Sequence, residues 1–373
     1  MKRAARLLIC ATLVVAMLGG VWGCKKTTTT SQETKPATRQ VVDPAGRTVT
    51  IPVNPKKVAT MQGPTYELMF MLGATDQIGL IRSDHATTYP LANLTNPNIT
   101  KYPTIANVGP QTPVNIEEFI SKGVDLVIYW NIQQELDKFE KAGIPVIVIS
   151  ETGFKPKNIE EAMADTKKQV AFLADVLGGD APKHYAEWES YLNKTTDLIL
   201  SRTSKIPEDQ RPVVYWGNTW NNNFLSTYQL YPRYYELALC GGKLVSVEKG
   251  GQFPEVTREQ LISWAPEVIL VDNHGRKPQL IIDDLKKDAD WASLPAVKNS
   301  RIYQIPAGVF FLDKGTTRPL YFYWLAKQLH PDLFQDIDMI KELKYYYKTF
   351  YGYDLSTEEA EKVLAGWVVE GTR

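Results

Sequence analysis

Residues 114–130 read VNIEEFISKGVDLVIYW, and this stretch decides the fold. Asn115 caps a short helix whose first turn carries two acids, Glu117 and Glu118. Gly123 and Asp125 then turn the chain into the buried strand LVIY. The same order of cap, acidic first turn, short helix, acid-marked turn and apolar strand returns at 256–271 in VTREQLISWAPEVILV, with Glu259 in the first turn. Repetition of the unit predicts two related α/β lobes; a chance recurrence within any α/β protein is the competing reading.

Strands at 57–61, 77–81 and 145–149 and helices at 66–72, 115–121 and 136–142 surround the first copy. Strands at 213–216 and 301–305 and helices at 234–240, 258–264 and 281–287 surround the second. Continuous apolar strands such as PVIVI suit parallel sheets covered on both faces. A hairpin is expected at 41–51 around Pro-Ala-Gly, and two helical stretches at 320–329 and 339–350 end the chain. Between the lobes the pattern becomes one long helix, 158–177, with apolar Ile159, Met163, Val170, Leu173 and Leu177 on helical spacing, Asn158 as cap and Gly178-Gly179 as stop. Twenty helical residues span about 30 Å. A second helix at 182–202 follows.

The 373 residues carry 42 Lys plus Arg against 42 Asp plus Glu, 44% hydrophobic residues and three cysteines. This excludes a disordered or disulfide-built chain, and the lack of basic excess argues against nucleic acid as partner. Residues 1–23 hold Lys2, Arg3 and Arg6 and no acid, so the remainder has 39 basic against 42 acidic residues, a net −3. That start has a basic beginning, an apolar run from Leu7 to Leu18 and small residues ahead of Cys24, which is the build of a secretory signal; the run is shorter than the roughly 20 residues of a membrane span. Val21-Trp22-Gly23-Cys24 resembles the bacterial lipobox, which implies acylation of Cys24, although Trp22 is larger than the residue usual there. A signal cut elsewhere is the alternative. The polar segment 24–39 suits a flexible tether. Cys240 would then be the last thiol of the mature body, expected to be buried and structural.

Taken with VVDPAGRTVTIPVNPKKVATM at 41–61, TYELMFMLGA at 65–74, WASLPAVKNSRIYQIP at 291–306 and WLAKQLHPDLF at 324–334, the two copies make the chain resemble the class III solute-binding proteins of ABC importers, which capture ferric siderophores, haem and cobalamin. The resemblance covers nearly the whole mature chain. It implies two Rossmann-like lobes with parallel sheets joined by a single long α-helix, a ligand cleft between the lobes, and no enzymatic step. The corresponding division is signal 1–23, tether 24–39, first lobe 40–157, interlobe helix 158–178 and second lobe 179–373. It further implies a monomer, exported and lipid-anchored at the periplasmic face of a membrane or at the cell surface. The implied partners are a permease dimer with its ATPase subunits, docked through Glu117 and Glu259. An acid in a helix's first turn also complements the helix dipole, worth about 0.3–1 kcal/mol.

Ligand residues are expected on loops after strand ends, where open α/β sheets bind. The loop after 213–216 supplies Trp216, Trp220, Asn222 and Tyr228, whose flat faces and amides suit a large, heteroatom-rich ligand. The loop after the last strand supplies Phe310, Phe311 and Arg318, the last placed to meet an anionic ligand or to pair with Asp313. DNHGRKP supplies His274 and Arg276, IRSDHATTYP supplies Asp84 and His85, and Trp130 follows DLVIY. His85 and His274 put one imidazole in each lobe, weak candidates for metal ligation beside the commoner outcome of solvated loop histidines. A ferric siderophore is the expected ligand. Cobalamin or another corrinoid comes next, and a nickel or haem complex behind; haem is demoted because NVGPQTPVN stands where haem binders carry a Tyr-rich motif. No intrinsic cofactor is expected. A two-domain nucleotide-sugar enzyme lacks support, since the chain has no G-x-G-x-x-G after its first strand, no G-x-S-x-G and no H-E-x-x-H. A surface adhesin would not need so many Trp, Tyr and Asn in its cleft loops.

Overall fold

A computed structural model describes residues 37–150, 154–217, 224–227, 231–246, 254–272 and 278–369. The expectations for 1–36, and for Trp220, Asn222, Tyr228, His274 and Arg276, lie outside them.

The folded body opens with an antiparallel hairpin of β1 (Thr38–Val42) and β2 (Thr48–Pro52). Its turn is organised by Asp43, whose buried carboxylate accepts from the backbone N–H groups of Ala45 and Arg47 and from the Arg47 guanidinium at 2.6 Å. The same carboxylate accepts from Val148 N, which fixes the hairpin against the first lobe.

Five strands form the first parallel sheet: β3 (Val58–Thr60), β4 (Ile78–Arg82), β5 (Thr104–Ile105), β6 (Leu126–Ile128) and β7 (Val146–Ile147), in the order β5-β4-β3-β6-β7. The second has β8 (Val213–Gly217), β9 (Lys243–Leu244), β10 (Val268–Val271) and β11 (Ile302–Gln304), in the order β11-β10-β8-β9, again all parallel. β6 and β10 are buried along their whole length, as strands covered on both faces must be. In each sheet the strand order reverses beside the first strand, between β3 and β6 and between β8 and β10.

The two repeated units fold alike. Helix Ile116–Lys122 stops at Gly123 and helix Arg258–Trp264 at Ala265, both in the left-handed region at φ 63° and 46°. The acid in each following turn has a structural task. Asp125 accepts from the backbone N–H groups of Lys56 and Lys57 ahead of β3, and Glu267 accepts from Val213 N at the start of β8. Each unit therefore ties its own strand to the central strand of its sheet.

Helix Ile159–Leu177 joins the lobes. Its Asn158 cap accepts from Glu161 N at 2.8 Å, and Gly178, at φ 67°, ends it. Helix Ala181–Thr203 packs alongside. Beyond β11 the chain returns to the first lobe. The Tyr66 hydroxyl donates to Val309 O, and Phe310 packs on Tyr89 at 5.1 Å and on Tyr66 at 6.0 Å. Glu67, fully buried in helix Thr65–Met71, accepts from Thr316 N at 3.0 Å and from the hydroxyls of Thr316 and of Tyr351 in helix Met339–Tyr351. Gly315, at φ 65°, lets the turn close on this carboxylate; a Cβ there would collide with it. The largest apolar cluster consequently runs through both lobes, while each sheet keeps a smaller cluster on its other face.

Candidate functional site

The crevices at the carboxyl ends of β3/β6 and β8/β10 are where open parallel sheets leave room for a ligand. In the first lobe Arg82 ends β4 and Trp130 follows β6, two strands apart with β3 between them. Their side chains meet across the end of β3, with the Arg82 guanidinium carbon 5.7 Å from the Trp130 ring centre. Asp84 holds the guanidinium from the other side, accepting from Nε at 2.9 Å and Nη2 at 2.5 Å. Nη1 has no acceptor among the described residues. A pinned, partly exposed guanidinium with spare N–H groups hydrogen-bonds well to ligand oxygens. Beside it, Gln62 after β3 donates to the Ser150 hydroxyl at 2.9 Å. In the second lobe Asp272 follows β10, almost wholly buried, with its backbone N–H directed to Gly217 O at the end of β8.

Several residues expected to present open faces to a ligand are packed instead. Trp216 is fully buried, with Arg233 over its ring at 4.9 Å and Tyr321 beside it at 6.0 Å. Phe310 and Phe311 are 4% and 1% exposed and fill the joint between the lobes rather than line an open loop. His85 is not in a loop: IRSDHATTYP contains the helix Ser83–Thr88, and the imidazole is buried 4.8 Å from the Tyr66 ring. Among the described residues no group of three or more His, Cys, Asp or Glu is placed to hold a metal ion.

Arg318 is not paired with Asp313. It donates to the Thr166 hydroxyl on the interlobe helix at 2.6 Å and lies 3.9 Å from Glu236. Next to it Arg233 bridges Glu236 at 2.6 Å and Asp313 at 2.7 Å, all three buried. Burial opposes the Arg233 charge, but the two carboxylates outweigh it and its pKa is raised. Burial depresses that of Arg318, with Glu236 acting against the depression. Two cations facing two anions make a balanced internal network that anchors the turn after β11. Cys240 is buried as expected, its thiol directed to Phe322 O.

Glu117 and Glu259 are exposed, each in the first turn of its helix, and neither forms an ion pair among the described residues. The backbone N–H of Glu259 and the Thr257 side chain hold the Glu259 carboxyl below its ordinary range. Arg258, its neighbour, is occupied by Asp288 and Asp290 and stacks on Trp291 at 4.8 Å.

Sequence reasoning passed over Arg82, Gln62, Asp272 and Glu67 as site or joint residues. The available signal was position: an arginine closing the apolar run IGLI and an acid directly after VILV stand where strand ends meet a crevice.

The family model described as periplasmic binding protein matches residues 58–309, two thirds of the chain. The chain belongs to the periplasmic binding protein family. Its business is therefore binding, and no catalytic residues are assigned. Among family relatives, the molybdate-binding protein MolA of Haemophilus influenzae is 27% identical over 335 residues, covering 84% of this chain and 91% of MolA. The solved structure of MolA bound to molybdate aligns with a TM-score of 0.72 at 22% identity, over 85% of this chain and 99% of that one. A vitamin B12-binding protein of Vibrio parahaemolyticus is 24% identical, covering 56% of this chain and 68% of its own length. YvrC of Bacillus subtilis, named an uncharacterized ABC transporter substrate-binding lipoprotein, is 21% identical over 90% of this chain and all of its own. The likeness to MolA confirms two α/β lobes in the fold. Among the described residues no helix is long and apolar enough to cross a membrane.

Proposed function

We propose that the protein is the lipid-anchored substrate-binding component of an ABC importer and that it captures an oxygen-rich, metal-bearing solute, first among them a ferric siderophore. The observation that carries this reading is Arg82, clamped by Asp84 and stacked against Trp130 across the end of β3, with N–H groups left for ligand oxygens. Siderophore catecholate or hydroxamate oxygens suit such a donor. Trp220, Asn222 and Tyr228, which follow β8 in the sequence, and His274 and Arg276, which follow β10, are side chains whose chemistry suits the bulk of a chelate. The second reading is a small metal oxyanion such as molybdate, favoured by the likeness to MolA over 335 residues. Its oxygens would use the same guanidinium.

The anchor is the thiol of Cys24. Delivery runs through Glu117 and Glu259, one exposed carboxylate per lobe, to basic pockets on the two permease subunits. Calorimetric titration of the purified protein with ferric hydroxamate, ferric catecholate, molybdate and cobalamin tests the ligand. Tight binding of a ferric siderophore supports the first reading; binding of molybdate alone replaces it with the second; binding of cobalamin alone removes both. Uptake in cells carrying E117K/E259K tests delivery. Transport is expected to vanish with ligand affinity intact, and unchanged transport would sink the docking roles.

A further inference from the structure

The two exposed carboxylates do not stand alone on their helices. Three residues after Glu117 comes Ile120, and three after Glu259 comes Ile262; residues three apart on a helix share a face. Ile120 is 50% exposed, one of the few large apolar side chains left open among the described residues, and Ile262 is partly buried. Phe119 and Leu261, one position earlier, are fully buried in the apolar clusters of their lobes. Ile120 is thus spared from the core, and Ile262 packs on its lobe's apolar cluster with part of its surface still open. The match extends around them: Ser121 and Ser263 follow, both exposed, and both helices then stop in a left-handed residue. At that stop the second lobe keeps Ala265 at φ 46°, a conformation costly for a side chain, so the helix ends at the same place in both lobes.

We propose that Ile120 and Ile262 are apolar anchors of the permease-docking surface, each seating beside the carboxylate three residues before it in one of two equivalent pockets of basic and apolar character. The inference rests on the delivery role given above to Glu117 and Glu259 and deepens it. A lone exposed acid is a common surface feature. An acid, an isoleucine and a helix stop repeated in register on two lobes form a two-point element, and its complement is a partner with two like surfaces. The flanks differ. Glu118 adds a second acid in the first lobe, whereas Gln260 stands there in the second and Arg258 is held away by Asp288 and Asp290. Charge is therefore not repeated in full, while the acid and the isoleucine are. An apolar contact next to a charged one excludes water from it, which is how interface anchors gain their effect.

A photo-reactive phenylalanine analogue placed at 120, at 262 and, as control, at exposed Val53 tests this in cells that hold the native importer, with products identified by mass spectrometry. Cross-links from both 120 and 262 to the membrane-spanning permease subunits, at least about tenfold above Val53, are expected. I120N/I262N, run in parallel at a temperature where the variant is folded, is expected to weaken docking of the protein to permease-containing membranes about tenfold with ligand affinity unchanged. Absence of permease cross-links at 120 and 262, or full docking by I120N/I262N, overturns the proposal. If E117K/E259K still abolishes uptake in that case, the docking acids stand and only the isoleucines fall. If E117K/E259K is also silent, the delivery role falls with them.

Discussion

Replacing Glu67 with Gln should change how stability depends on pH, because Glu67 is an acid sealed in the joint between the lobes. Its carboxyl is pushed up from 4.5 to about 7. Loss of solvation is the main cause, partly offset by hydrogen bonds from Thr316 and Tyr351 and by the more distant charge of Arg318. In the unfolded chain the group ionises near 4.5. Below that pH both states hold the proton and the group contributes no difference. Between 4.5 and 7 the unfolded state releases it while the folded state retains it, so stability falls as pH rises, and the loss levels off once both states are ionised. The displacement corresponds to about 3 kcal/mol over that window. A neutral Gln keeps the shape, and the Thr316 and Tyr351 hydroxyls can turn to accept from its amide. Urea unfolding of both proteins from pH 4 to pH 8 reads the difference. Relative to E67Q, the wild-type protein should lose about 3 kcal/mol across the window, most of it by pH 7. Parallel curves, or a wild-type protein gaining on the variant as pH rises, would refute the reasoning.

Other perturbations report on separate parts of the molecule. R233L strips the buried partner from Glu236 and Asp313 and should cost about 3–5 kcal/mol in urea unfolding; a cost below about 1 kcal/mol would show that the network is dispensable. A265G relieves a left-handed alanine and should stabilise by up to about 1 kcal/mol, less the extra entropy that glycine gives the unfolded chain, seen as a raised urea midpoint. R82A should weaken ligand binding about ten- to a hundredfold, the worth of a hydrogen bond to a charged group, without lowering the thermal midpoint by more than a few degrees; unchanged affinity would remove Arg82 from the site.

Much of the scaffold was legible because its signals are local. Helix Arg258–Trp264 and β10 fall where Thr257, the acid of the first turn and the apolar run VILV put them, and the interlobe helix starts and ends at its Asn158 and Gly178 signals. Helix Ser83–Thr88 was not legible. Ser, Asp, His and Thr favour caps and turns, and this helix is held by the packing of His85 against Tyr66. The same limit explains Phe310 and Phe311. Their partners, Tyr66, His85 and Tyr89, lie more than two hundred residues earlier, so composition gives no sign whether an aromatic pair will face a ligand or close a joint. The Glu67 to Thr316 contact, 249 residues apart, is of the same kind. Arg82 and Trp130 come together only because β3 separates β4 from β6, an order that strand sequence alone does not dictate.

The central claim, capture of an oxygen-rich, metal-bearing solute beneath Arg82, is tested most directly by native mass spectrometry of the protein taken from cells grown with limiting metal, paired with elemental analysis of the bound fraction. The account predicts a bound mass that carries one metal per protein and is lost in R82A. A bound solute free of metal, or a metal complex retained undiminished by R82A, would contradict it.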